Sequence, residues 1–112
     1  KGLRIDLSGI AKGYMVDKAI IALKREGINS ALVDAGGDIY CEGKNNNLGW
    51  QVGIKDPILG SGIFNTISLT DEAVATSGNY EQFFRYKGVR YSHIVNPSSG
   101  LPVNNGVLSV TV

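Results

Sequence analysis

The chain has 112 residues, 43% of them hydrophobic, with eleven Lys and Arg against ten Asp and Glu for a net charge of +1. That is material for one ordinary core and no more. The scattered basic residues exclude a broad cationic field for nucleic acid or an anionic membrane, and no apolar run approaches the ~20 residues that cross a bilayer. Leu3-Arg4-Ile5-Asp6 reads as a short strand delivering Ser8, a good N-cap, to a helix over Gly9 to Glu26. Ile10, Tyr14, Ala19 or Ile20, and Leu23 recur there at helical spacing, and Gly27 supplies a left-handed stop. Ala31-Leu32-Val33 is a buried-strand candidate broken by Ala35-Gly36-Gly37. Asp38–Glu42 and Gly49–Ile54 are expected to pair as a hairpin across the polar connection Gly43-Lys44-Asn45-Asn46-Asn47.

Asp56-Pro57 through Gly62 reads as loop, and Phe64–Thr70 and Ala73–Thr76 as strands, the latter closed by Ser77-Gly78. Gln82–Tyr86 and Val89–Val95 flank Lys87-Gly88, a two-residue hairpin turn. Val107–Val112 alternates as a strand inside a sheet should. One long helix with seven or eight short strands is α+β with a mostly antiparallel sheet, not a doubly wound fold. The single Cys41 cannot form an internal disulfide and reads as a small apolar strand residue. Trp50 and Phe83-Phe84 read as core or cross-strand packing.

Four places carry chemistry. His93 is the only histidine, at a strand-to-loop junction, and imidazole is the side chain best suited to move protons near neutral pH. Taken alone, such a residue is more often a hydrogen-bonded structural element. Ser8 and Gly9 at a helix start form a plausible anion site, with Lys12 one turn in to neutralise a phosphate, although Ser8 equally serves as a plain cap. Asp34-Ala35-Gly36-Gly37-Asp38 could serve a metal or a ribose, but a tight turn is favoured. Thr76-Ser77-Gly78-Asn79 could supply hydroxyls to a pocket or merely end a strand. Gly-x-Ser-x-Gly, phosphate-loop and Cys/His zinc spacings are absent.

In collinear order, Asp6-Leu7-Ser8-Gly9-Ile10-Ala11-Lys12-Gly13-Tyr14 with Asp17, Ala35-Gly36-Gly37-Asp38-Ile39, Trp50–Ile54 with Asp56-Pro57, Ala75–Glu81, and Tyr91-Ser92-His93-Ile94-Val95-Asn96-Pro97 with Gly100 and Pro102 resemble the ApbE family of Mg-dependent FAD:protein FMN transferases. The resemblance covers nearly the whole chain. It implies that FMN passes from FAD to a Thr or Ser hydroxyl of an acceptor flavoprotein, with release of AMP. His93 matches the catalytic histidine; Ser8, Tyr14 and Val95 match flavin-nucleotide contacts; Ala11 matches the position whose carbonyl is a magnesium ligand. Asn96 stands where the family often has Asp, a change expected to be tolerated. The family's other metal ligands lie in an Asp-x-x-x-Thr segment after the strand at which this chain stops, and further FAD contacts lie before Lys1. Residues 1–112 are therefore expected to be a single domain, the central-to-C-terminal portion of an ApbE-like fold, unable to catalyse by itself. The implied partners are FAD and the acceptor, with no nucleic acid and no membrane span in this segment. The implied location is the bacterial cell envelope, as a periplasmic protein or inner-membrane lipoprotein. Alternatives are metal-dependent hydrolysis of FAD to FMN and AMP, and a non-catalytic flavin-binding domain. The whole scheme requires the Ser8 end of the helix and the His93 ring to reach one hollow.

Overall fold

The computed structural model of the chain describes residues 2–59, 61–79 and 82–112. They form one helix, α1 (Ser8–Arg25), and eight strands: β1 (Ala31–Asp34), β2 (Asp38–Glu42), β3 (Trp50–Lys55), β4 (Ile63–Leu69), β5 (Glu72–Gly78), β6 (Phe83–Tyr86), β7 (Val89–Ser92) and β8 (Ser109–Thr111). The chain divides into two compact units, one running up to Val52 and including Thr66–Ala75, the other comprising Gly53–Asn65 and Thr76–Val112. The α+β class expected from the sequence is the one observed.

In the first unit β2 is the organising strand. It pairs antiparallel with β1 (Leu32 opposite Cys41) and with the start of β5 (Ile39 opposite Val74). α1 lies against β1 and β2 and buries Val16 and Ile20. Of the apolar positions marked in the sequence, Ile20 is therefore on the packed face. Ile10 and Tyr14 remain 68% and 63% exposed. Their spacing is helical, but they occupy the face turned away from the sheet.

The helix ends as its sequence dictates. Gly27 sits at φ +80. Its N–H donates to the Lys24 carbonyl at 3.1 Å, and the Ile28 N–H to that of Leu23 at 3.0 Å, the paired bonds that close a left-handed C-terminus. The start differs from expectation. Leu3–Asp6 is not a strand, because no strand of the described residues pairs with it. Ser8 is the first helical residue, not the cap; Leu7 stands at the cap position and makes no side-chain capping bond. Asp6 Oδ1 instead accepts the Ser8 N–H at 2.8 Å.

The expected β2–β3 hairpin does not form, because both edges of β2 are taken by β1 and β5, and β3 pairs with β4. The asparagine-rich connection closes a turn of its own. Asn46 and Asn47 both adopt positive φ, and Asn45 and Leu48 exchange backbone bonds at 2.8 and 2.9 Å. Trp50 still reaches β2 through its side chain, donating its indole N–H to the Glu42 carbonyl at 3.1 Å.

The core of this unit is Cys41, Val52, Leu69 and Val74, with Ile39, Trp50 and Ile67 packed around it. Cys41 has no exposed surface, and burial pushes its thiol pKa up by disfavouring the thiolate. Its modification by a thiol reagent is expected to be negligible in the native protein and complete on denaturation. Rapid labelling of the native protein would contradict this burial. Glu42 is buried beside the core; one carboxylate oxygen meets Lys24 Nζ at 2.6 Å, which raises the Lys24 pKa.

In the second unit the end of β5 pairs antiparallel with β8, Thr76 opposite Thr111, and their hydroxyl oxygens lie 2.9 Å apart. β6 and β7 form the hairpin expected around Lys87-Gly88, both at positive φ, with Tyr86 opposite Val89.

Candidate active site

The Asp34–Asp38 segment is the tight turn favoured from its sequence. Gly36 and Gly37 are at positive φ, Asp34 Oδ1 accepts the Gly37 N–H at 2.8 Å, and Asp38 pairs with Lys12 at 3.4 Å. Lys12 also donates to the Gly36 carbonyl at 3.3 Å. Its ammonium, one turn into the helix, is thus directed at the β1–β2 turn.

Ser8, Ala11 and Tyr14 share the first two turns of α1. Gly9 has no heavy atom within 4 Å of where a side chain would begin, so a ligand could approach this backbone closely. No acidic side chain occupies the first turn. The Asp6 carboxylate just ahead already caps one N–H, and that bond lowers its pKa. The exposed Tyr14 ring carries Lys18 Nζ 5.1 Å from its centroid.

His93 and Val95 lie in the second unit, just beyond β7. His93 Nδ1 is 2.9 Å from the Gln82 carbonyl oxygen. A carbonyl can only accept, so Nδ1 carries the proton, and Nε2 of the neutral ring is left as a proton acceptor. The β6–β7 register aligns Phe83 with Ser92, which places Gln82 opposite His93. No residue type marks this partner, a backbone carbonyl, but counting outward from the Lys87-Gly88 turn finds it.

The loop after His93 is braced by Asn96. Its Oδ1 accepts the N–H groups of Ser98 at 2.9 Å and Ser99 at 3.3 Å. Asn96 N–H donates to the Leu101 carbonyl and Val103 N–H to that of Ile94, at 2.9 and 2.8 Å. Val95 forms a bridge with Pro102. Among the described residues the Asn96 side chain bonds through its oxygen, which Asp also has. Asn96→Asp is therefore expected to change unfolding free energy by less than about 0.5 kcal/mol, and Asn96→Ala to cost roughly 1–2 kcal/mol. Equal losses in denaturant titrations of the two variants would contradict this assignment.

Asn79 anchors the end of β5: its N–H donates to the Leu108 carbonyl and its side-chain amide to that of Val107, at 3.0 and 2.9 Å. Its Oδ1 is buried with no partner among the described residues. Tyr80 and Glu81, the end of the motif singled out in the sequence, lie outside the described residues. Thr76 spends its hydroxyl on Thr111, as a strand residue would. Among the described residues no three His, Cys, Asp or Glu side chains gather as a metal site. The Ala11 carbonyl by itself is not a site.

A model of the ApbE family matches residues 1–112. The chain belongs to the ApbE family. It is 43% identical to the FAD:protein FMN transferase of Vibrio cholerae, over 98% of this chain and 34% of that protein. The corresponding protein of Treponema pallidum is 40% identical, over 99% of this chain and 33% of its own length. The crystal structure of the ApbE protein of Thermotoga maritima superposes with a TM-score of 0.85 at 48% identity, covering 96% of this chain and 35% of that one. The flavin transferase ApbE of Vibrio cholerae gives 0.80 at 42%, covering 97% and 35%. The chain thus spans about a third of the length of the curated relatives it matches. The ApbE match extends over both compact units.

Proposed function

We propose that this chain contributes the flavin-handling part of an FAD:protein FMN transferase, and that residues 1–112 form the central-to-C-terminal portion of its single catalytic domain. The observation that carries the reading is the His93 ring, held by the Gln82 carbonyl with Nε2 left as acceptor. In the reaction, a Thr or Ser hydroxyl of the acceptor protein gives its proton to Nε2 while its oxygen attacks the FMN phosphorus. The bond from that phosphorus to the bridging oxygen breaks, and AMP leaves. The helix start offers the open Gly9 backbone to the diphosphate, the Ser8 N–H being held by Asp6. Tyr14 offers an exposed ring to the nucleotide, and Val95 a backbone contact. Magnesium, with the Ala11 carbonyl among its ligands, would neutralise charge on the diphosphate; its remaining ligands would come from outside this chain. The protein would work in the bacterial cell envelope.

Mass spectrometry of an acceptor peptide incubated with FAD, magnesium and the intact protein tests this reading. The expected result is a peptide heavier by one FMN group, with one AMP released per transfer and none without acceptor. Equal release of FMN and AMP with or without peptide identifies an FAD pyrophosphatase instead. FAD binding without any turnover identifies a flavin-binding domain.

A further inference from the structure

The ladder of the β6–β7 hairpin ends at Phe83 opposite Ser92. Gln82 and His93 lie one step beyond it, and a two-stranded ribbon is marginal by itself. The bond from His93 Nδ1 to the Gln82 carbonyl therefore depends on what holds the start of β6 in place. Arg90, on the facing strand β7, reaches both sides of that start. Its guanidinium donates to the Asn79 carbonyl and lies 4.2 Å from the centroid of the Phe83 ring. Asn79 is fixed in turn, its N–H donating to the Leu108 carbonyl and its side-chain amide to that of Val107. One side chain thus grips the residue three before Gln82 and the residue just after it, and ties both to the segment leading into β8. Arg85 stands directly opposite Arg90 and also faces the Phe83 ring, at 5.7 Å, but it is Arg90 that holds the Asn79 carbonyl.

We infer that Arg90 is a positioning residue for the imidazole: by clamping Asn79 and Phe83 it keeps the Gln82 carbonyl against Nδ1 of His93 and so leaves Nε2 unprotonated. Arg90 itself touches no reacting atom. A neutral imidazole carries one N–H, and which nitrogen bears it follows the acceptor on offer. With the carbonyl held at 2.9 Å, Nδ1 keeps the proton. With the carbonyl free to swing away, the two nitrogens share it, and Nε2 is blocked as an acceptor for part of the time. The inference rests on the proposed transfer reaction for what Nε2 does, while the tautomer is measurable without turnover.

Long-range proton–nitrogen correlation NMR of the intact protein, isotope-labelled at histidine, reads both ring nitrogens; the His93 signals are those lost in His93→Ala. The native protein is expected to show a protonated Nδ1 and an unprotonated Nε2. Arg90→Met keeps an apolar stem over Phe83 and removes every donor. Its two nitrogen shifts should move toward each other, with kcat for FMN transfer about tenfold lower and KM for FAD unchanged. Arg90→Lys retains a donor for the Asn79 carbonyl and should restore the native shifts and most of the rate. Arg85→Met should alter neither. A purely structural role lowers Tm but leaves the tautomer of the folded protein as it was. Native shifts in Arg90→Met, or in Phe83→Leu if that variant does not fold, would overturn the clamp, as would an equal change in Arg85→Met. Merged shifts in Arg90→Met with transfer at the native rate leave the clamp standing and remove His93 as the base. Slow transfer by His93→Ala with native shifts in Arg90→Met does the reverse.

Discussion

His93→Ala in the intact protein is expected to lower the rate of FMN transfer by about a hundredfold, roughly 2.7 kcal/mol of transition-state stabilisation. The loss should fall on kcat, because in the proposed reaction Nε2 takes the proton only as the new bond forms. A second substitution separates chemistry from scaffolding. His93→Asn can still present an N–H toward the Gln82 carbonyl, which the imidazole now engages at 2.9 Å, but it has no basic nitrogen. If Nε2 is the base, His93→Asn and His93→Ala lose activity alike. Should the Asn variant regain most of the rate, the histidine is only a strut for the hairpin base.

Gly43→Ala is expected to be among the most destabilising single changes in the described residues, at about 3–4 kcal/mol and a fall in Tm of roughly 15 °C or more. Two costs coincide at this position. Its φ of +60 is one that residues with a side chain rarely adopt. An added Cβ would also stand 2.2 Å from the Asn29 carbonyl oxygen, a backbone atom with no rotamer by which to retreat. Nor can the backbone at Gly43 move freely, because its N–H donates to Asp71 Oδ1 at 2.7 Å. Gly88→Ala is the control: φ there is +79, but nothing lies within 4 Å of the added atom. It should cost only about 1 kcal/mol. If calorimetry shows equal losses for the two, the close approach to Asn29 does not exist in solution.

Local signals survived intact wherever a short stretch of chain satisfies its own backbone. The left-handed stop at Gly27, the Asp34–Asp38 turn and the Lys87-Gly88 hairpin all close within a few residues, so their residue types were sufficient. Cys41 was legible as a small apolar strand residue from its type and its place in the Asp38–Glu42 run. The candidate site was legible only in pieces. His93 and Ser8 stood out by type and position, but the bond that sets the imidazole tautomer comes from a backbone carbonyl, which has no residue signature.

Failures occurred where a group had several partners to choose from. The strand pattern of Asp38–Glu42 does not say which neighbours it will take, and it pairs with β1 and the distant β5, leaving β3 to β4. The Leu3–Asp6 pattern fits a strand, yet a strand exists only where another lies beside it. Lys12 could have faced solvent or a ligand; closing the β1–β2 turn placed Asp38 and the Gly36 carbonyl within its reach.

Residue order alone determined the α+β class, most element boundaries and the family, since these depend on local periodicity and on motifs in series. Tertiary structure alone decided strand partners, which ring nitrogen of His93 is hydrogen-bonded and where charged side chains such as Lys12 and Lys24 are directed. Those follow from distances between segments far apart in the chain, and pairing energies there depend on which group arrives rather than on which is present.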